Sequence, residues 1–439
     1  MRLTGIFLLP AVLAAGADLR SVVEPQLPSL VAVYRGLHAQ PELSHYEEHT
    51  AAFVAGELRK AGFTVTEHVG KYADGSAAFG VVGVLKNGEG PVVMVRTELD
   101  ALPVVEKTGL PFASTVRTHN AAGQEVGVMH ACGHDLHMTS FIGSARTLAS
   151  LKDQWHGTLI MVGQPSEETV DGARAMLADG FMTRFPKPDF AIALHDANDT
   201  ASGTVGVLAG PLLASSTAVD VTMRGLGGHG AHPEATKDPV VMAAEFVVAL
   251  QTIVSRQISP RQPAVVTVGS IHGGAKRNVI PDEVLLQLSV RAFSEDVRRQ
   301  ILAGIERTAR GIAIAGGVPE DRMPIVKVDE AEMVPVTKND AKLTARLRGV
   351  FVATLGAENV VDAEPQMVSE DFGLFGLDGQ IPTFMFHLGA VPASRLDESK
   401  RTGVPLPSLH SSLFYPEAEP AIRTGVTATT AAVIDLMRR

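Results

Sequence analysis

The stretch Gly157-Thr158-Leu159-Ile160-Met161-Val162-Gly163-Gln164-Pro165-Ser166-Glu167-Glu168 decides the fold. The run Thr158 to Val162 is short, apolar and closed by glycine and proline, so it reads as a strand buried on both faces. Two adjacent carboxylates follow it directly. Carboxylates that close to a buried strand are costly unless they meet cations, or they form the solvated first turn of a helix.

Similar strands surround this one. Phe63 to Val69, Phe79 to Leu85 and Pro91 to Arg96 are β-rich, and Phe190 to Leu194 is a second buried-type strand. Helical spacing appears in Val22 to Ala39, in Glu47 to Ala61 (stopped by Gly62) and in Asp135 to Leu151. Strands alternating with helices predict an α/β domain, a mixed sheet covered by helices. Near Ala214 the pattern changes. Strands Thr217 to Arg224, Ala264 to His272, Glu283 to Ala292 and Ile325 to Asp329 enclose helices Asp238 to Arg256 and Glu295 to Ala315. That βαββαβ order predicts a two-layer α+β domain inserted in the first. The expected division is 18–213 and 334–439 for the larger domain and 214–333 for the insertion.

The chain has 439 residues, 45% apolar and 20% charged, with a formal net charge of -10. This is the composition of a globular protein, without the basic stripe a nucleic-acid partner would require. Arg2, the apolar run Leu3 to Leu13 and the small residues Ala15-Gly16-Ala17 read as an export signal over residues 1–17. The run is too short for a permanent span, so no stable membrane anchor is expected. Cys132 is the single cysteine, which excludes an intramolecular disulfide.

That cysteine lies in the densest polar cluster, Met129-His130-Ala131-Cys132-Gly133-His134-Asp135-Leu136-His137. Cys132 and His134, two apart in a loop, can point to one side as metal ligands, with Asp135 or His137 orienting them. The same residues also suit a helix start with incidental histidines. Glu167 and Glu168 divide naturally into a metal ligand and a base facing a metal-bound water. His195 ends the strand Phe190 to Leu194, where α/β sheets place ligand-binding groups, and His410 follows Pro407-Ser408-Leu409. Singly, each histidine is equally compatible with a structural role.

Taken together the segments resemble the dinuclear metallopeptidase family of aminoacylases and carboxypeptidases, in particular its hippurate hydrolase, N-acyl-amino-acid amidohydrolase and auxin-conjugate hydrolase subgroup. The matching pieces are Arg96 to Pro103, His130 to His137, Gln164 to Glu168, Leu194-His195, Gly227 to Ala231, Gly273 to Pro281, Ser369 to Phe372 and Leu409-His410. The resemblance implies that Cys132 bridges two divalent ions, zinc or manganese before cobalt or nickel. It implies His134, Glu168, His195 and His410 as the other ligands and Glu167 as general base. It further implies that His229 stabilises the oxyanion in a partner subunit's site, that Asn278 contacts substrate, and that the insertion is a lid through which a homodimer forms. The expected activity is hydrolysis of small N-acyl amino acids. A dipeptidase or carboxypeptidase of the same family is the enzymatic alternative, and a binding protein on an inactive scaffold the other.

Three positions depart from the subgroup: Glu98 where Asp is usual, Ser411 where a histidine often follows the last ligand, and Asp196-Ala197-Asn198 without the expected proline. The polar stretch Val116 to Val126 is also longer than usual, and is expected to shape the pocket entrance. Arg291 suits either a substrate carboxylate or a structural pairing.

Overall fold

In a computed structural model, residues 19–438 are described, and the expected export signal lies outside them. The described residues divide into two compact units: 19–210 with 339–364 and 374–438, and 211–338 with 365–373.

The first unit is built on an eight-stranded mixed sheet. Its order is Thr64–Lys71, Ala77–Asn87, Gly157–Gln164, Val92–Glu98, Phe190–Ala201, Thr383–Val391, Val205–Val207 and Val360–Asp362. The four strands from Gly157–Gln164 to Thr383–Val391 run parallel, and antiparallel pairs flank them. Thr383–Val391 is buried along its whole length, as a central parallel strand requires. Helix His134–Ser150 is also buried nearly all round, packed among Leu27–Ala39, Glu48–Lys60, Ala418–Leu436 and the sheet. Trp155, fully buried, donates its indole N–H to the Leu148 carbonyl at 2.9 Å and closes that helix's C-terminal end.

Where observed elements differ from expectation, the reason is local. The predicted helix Val22 to Ala39 is interrupted at Glu24–Gln26 by a 3-10 turn, which holds Pro25. The strand from Phe190 continues past Leu194 to Ala201, so His195 and Asp196 sit within it. The stretch 116–126 carries a small hairpin, Arg117–His119 against Glu125–Gly127.

The second unit has a four-stranded antiparallel sheet in the order Ala264–His272, Glu283–Ala292, Ser215–Arg224 and Ile325–Val334. Ser215–Arg224 alternates buried and half-buried residues, as a strand with one covered face should. Helices Pro239–Thr252 and Glu295–Ala315 cover that face through Phe246, Leu250, Ile301 and Ile305, which pack on Val219, Val221, Leu286 and Val290. Asp238 and Ser294 cap the two helices by accepting from the backbone N–H groups of Val240 and Val297. Arg291 is a structural tie here: its Nη1 donates to the Met367 carbonyl (3.1 Å) and to Ser369 Oγ (3.2 Å).

Candidate metal centre

The expected ligands of the first unit come from four places in the chain: the start of helix His134–Ser150, the turn after strand Gly157–Gln164, the strand Phe190–Ala201 and the loop at His410. Cys132 and His134 lie on either side of Gly133, which starts the buried helix at φ 73°. A side chain at Gly133 would not fit, because its Cβ would lie 2.4 Å from Asp196 Oδ2. Glu167 and Glu168 follow Ser166, which is left-handed at φ 52°, and His410 is itself left-handed at φ 66°. Such conformations cost a non-glycine residue about 1–3 kcal/mol and persist only where the surroundings enforce them. For His410 part of that enforcement is its backbone N–H, which donates to the Ala131 carbonyl at 2.8 Å.

These side chains converge. Cys132 Sγ is 3.6 Å from His195 Nε2 and 3.3 Å from His410 Nε2. His134 Nε2 is 3.8 Å from Glu167 Oε2 and 3.9 Å from Glu168 Oε1, and His410 Nε2 is 3.6 Å from Glu168 Oε2. Of the clusters that could hold an ion, two are made wholly of expected ligands around Cys132: Cys132 with His134 and His195, and Cys132 with Glu168 and His410. They share the sulfur atom.

Hydrogen bonds from the buried surroundings fix the imidazoles. His134 Nδ1 faces the Asp100 carbonyl at 2.9 Å, leaving Nε2 buried and without a hydrogen-bond partner. His195 Nδ1 faces the Asp196 carbonyl at 2.9 Å, which turns Nε2 toward Cys132. His137 lies outside these two groups, although it clusters with Glu98 and His134 and with His195 and Asp196. Its Nδ1 meets Glu98 Oε2 at 3.0 Å and its Nε2 meets Asp196 Oδ1 at 3.1 Å, so both nitrogens are engaged. Glu98 is fully buried, and it reaches Arg96 as well as His137 with its extra methylene. Arg96 in turn donates to Gln164 Oε1 at 2.8 Å.

The electrostatics of the site favour a bound cation. Burial pushes the Cys132 thiol well up, and the carboxylates of Glu168, Glu167, Asp196 and Glu98 push it further. Burial opposes the imidazolium of His134, yet the carboxylate side chain of Asp100 and the charges of Glu98 and Glu168 raise its pKa to about 10. Five carboxylates, those of Glu98, Asp100, Glu167, Glu168 and Asp196, thus crowd a buried site where Arg96 is the one permanent cation among the residues just named. A divalent ion reverses this, since thiolate and neutral imidazole are the forms that bind metal. The aimed, unpartnered His134 Nε2 and the thiolate, imidazole and carboxylate donors fit such ions.

The model of peptidase family M20/M25/M40 matches residues 94–401. The chain belongs to that family. It is 34% identical over 397 residues to N-acetyl-L-cysteine deacetylase of Bacillus subtilis, covering 86% of this chain and 85% of the relative. To hippurate hydrolase of Campylobacter jejuni it is 36% identical over 341 residues, covering 77% and 82%. Among solved structures, a dinuclear metal binding peptidase of the family from Bacillus subtilis superposes with a TM-score of 0.75 at 27% identity, over 94% of this chain and 99% of that one. This M20-family member is therefore a metal-dependent amidohydrolase with a dinuclear site.

His229 and Asn278 belong to the second unit. They lie beside each other there, because Gly228–His229 pairs with Val279–Ile280 and the Gly230 N–H donates to the Asn278 carbonyl at 2.9 Å. Both side chains are exposed. Sequence reasoning did not single out Asp100, Asp196, His38 or Glu47. Asp196 adjoins His195 and Asp100 lies two beyond Glu98, so the position of these two was a usable signal. His38 and Glu47 carry none, since their partners are 97 and 119 residues away.

Proposed function

We propose that this amidohydrolase cleaves N-acyl amino acids, with Glu167 as general base. The observation that carries the proposal is the pair of donor groups sharing Cys132, with Glu167 Oε2 3.8 Å from His134 Nε2 at their edge. Cys132, His134 and His195 would hold one ion, and Cys132, Glu168 and His410 the other, zinc or manganese by donor chemistry. Bound there, the ions acidify water and polarise the amide carbonyl. Glu167 accepts the water proton as oxygen adds to the carbonyl carbon, then delivers it to the amine nitrogen as the C–N bond breaks. His229 stabilises the developing oxyanion in the site of a partner subunit, and Asn278 contacts the substrate.

The names of the relatives support the substrate class, since one is a deacetylase of N-acetyl-L-cysteine and another a hydrolase of hippurate. A carboxypeptidase reading is favoured by 32% identity over 403 residues to thermostable carboxypeptidase 2 of Saccharolobus solfataricus. Homodimerisation through the second unit is supported by two features. Val240, Val241 and Val248 form an exposed apolar stripe on one helix, and Ala264–His272 is an edge strand with unpaired backbone groups. Export through residues 1–17 is part of the proposal, and N-terminal sequencing of the mature protein tests it.

The deciding experiment is a panel of N-acyl amino acids and dipeptides, hippurate and N-acetylcysteine included, with enzyme loaded with zinc, manganese, cobalt or nickel. Wild type is expected to cleave N-acyl amino acids fastest. Glu167→Ala should abolish turnover while metal content stays intact. Near-normal activity in that variant refutes the role of Glu167, and preference for dipeptides selects the carboxypeptidase reading.

A further inference from the structure

We propose that Glu47 is a positioning residue for Glu167, holding from the N-terminal segment the left-handed turn at Ser166 that sets the direction of the next side chain. The inference rests on the reading of Glu167 as the base.

Glu47 stands at the N-cap of helix Glu48–Lys60 but caps nothing there with its side chain. The carboxylate turns inward instead and is fully buried. Its Oε1 accepts from the Ser166 backbone N–H at 2.7 Å, from Ser166 Oγ at 2.9 Å and from the His45 backbone N–H at 3.1 Å. Ser166 Oγ also accepts from the His45 N–H at 2.9 Å and meets the Tyr72 hydroxyl at 2.5 Å. With one donor and two acceptor sites, that hydroxyl is fully used.

The consequence is directional. Ser166 has a φ of 52°, a conformation a serine does not adopt unaided. An extended Ser166 would send Glu167 and Glu168 away from the cluster. Two of the three bonds to Glu47 Oε1 grip the Ser166 N–H and hydroxyl together, which fixes the directions of its N–H and side chain about the Cα, and the third ties the same oxygen to the His45 N–H. Neighbouring contacts reinforce the seam: Ser44 Oγ donates to Asp100 Oδ2 at 2.7 Å, and the same oxygen accepts the Glu168 N–H at 3.0 Å. His45 Nε2 lies 3.2 Å from Asp171 Oδ2. Residues 44–47 therefore act as a clamp on the turn 166–171. Glu168 has a second anchor in Asp100, whereas for the orientation of Ser166 itself Glu47 is the acceptor in common. Loss of Glu47 should accordingly disturb Glu167 more than the metal ligands.

The test uses the full-length, metal-loaded enzyme and the N-acyl amino acid that wild type cleaves fastest. Glu47→Ala should lower kcat at least tenfold, with KM changed less than threefold and two ions still bound by elemental analysis. Glu47→Gln, which keeps the shape and one acceptor oxygen, should recover part of the loss. A crystal structure of Glu47→Ala should show Ser166 out of the left-handed region and Glu167 displaced. A kcat within twofold of wild type, a kcat loss matched by metal loss, or an unmoved Ser166 overturns the proposal. If Glu47→Ala does not fold, Tyr72→Phe takes its place. It removes only the hydroxyl at Ser166 and should lower kcat two- to tenfold at constant KM; no change in either Tyr72→Phe or Glu47→Gln overturns the proposal. Glu167→Gln separates the two ideas. If it retains wild-type turnover, the reading of Glu167 fails. If it is inactive while Glu47→Ala is fully active, only the role of Glu47 fails.

Discussion

Replacing His38 by glutamine tests how the helix that carries His134 is anchored. His38 is buried between two carboxylates, with Nδ1 2.6 Å from Asp135 Oδ2 and Nε2 3.1 Å from Glu106 Oε1. Both contacts are donated only by the imidazolium. Burial disfavours that charged form, but the two carboxylates outweigh it and raise the pKa from 6.5 to about 10. At 1.36 kcal/mol per pKa unit, the rise corresponds to roughly 4–5 kcal/mol of folding stability. The stabilisation is fully present below about pH 6.5, where the ring is protonated in both states. It declines as pH rises and is gone once pH passes about 10. Asp135 and Glu106 have lowered pKa values, so their contribution is lost only in acid and stays constant across this window. His38→Gln should therefore be least stable relative to wild type at pH 6–6.5, and most of the difference should vanish by pH 10. Urea unfolding of chelator-treated protein at several pH values between 6 and 10 measures it. A difference that does not change with pH would show that His38 acts by shape alone and refute the reasoning.

Two further predictions concern the cluster. Because Cys132 belongs to both donor groups, Cys132→Ala should bind less than one ion per chain, while His195→Ala and His410→Ala should each keep about one; equal losses in all three, by elemental analysis, would refute the shared sulfur. Gly133→Ala should lose about 1–2 kcal/mol of stability from its positive φ alone. Its Cβ, 2.4 Å from Asp196 Oδ2, must also displace that carboxylate, and metal affinity by chelator competition should fall roughly 10- to 100-fold.

The parts of the fold legible in sequence were those with a strong period or an unbroken apolar run. Thr158 to Val162 and the alternating Thr217 to Arg224 fall within the observed strands Gly157–Gln164 and Ser215–Arg224 because burial on two faces or one leaves a direct imprint on composition. The three-residue strands Val205–Val207 and Val360–Asp362 are too short to carry a period. Helix Pro239–Thr252 gives way to a π turn at Ile253–Gln257 for which no sequence signal was found. In the site, residues beside an already chosen side chain were within reach, and Asp196 next to His195 is the example. The grip of Glu47 on Ser166 was not, because hydrogen bonds between residues 119 apart leave no local pattern. The meaning of Glu98 was half visible: its departure could be seen, while its position between Arg96 and His137 needed three dimensions.

The shared sulfur also orders events in time. Cys132 and His195 are 63 residues apart, whereas Cys132 and His410 are 278 apart. In an unfolded chain the longer closure costs roughly 1.3 kcal/mol more, by the logarithmic dependence of loop entropy on length. During synthesis the gap is starker, because the first donor group is complete long before His410 exists. A newborn chain thus passes through a stage with half a centre, and that half already holds the thiol the finished site depends on. If Cys132 bridges two ions as proposed, a chain that ends before His410 could complete only the group of Cys132, His134 and His195.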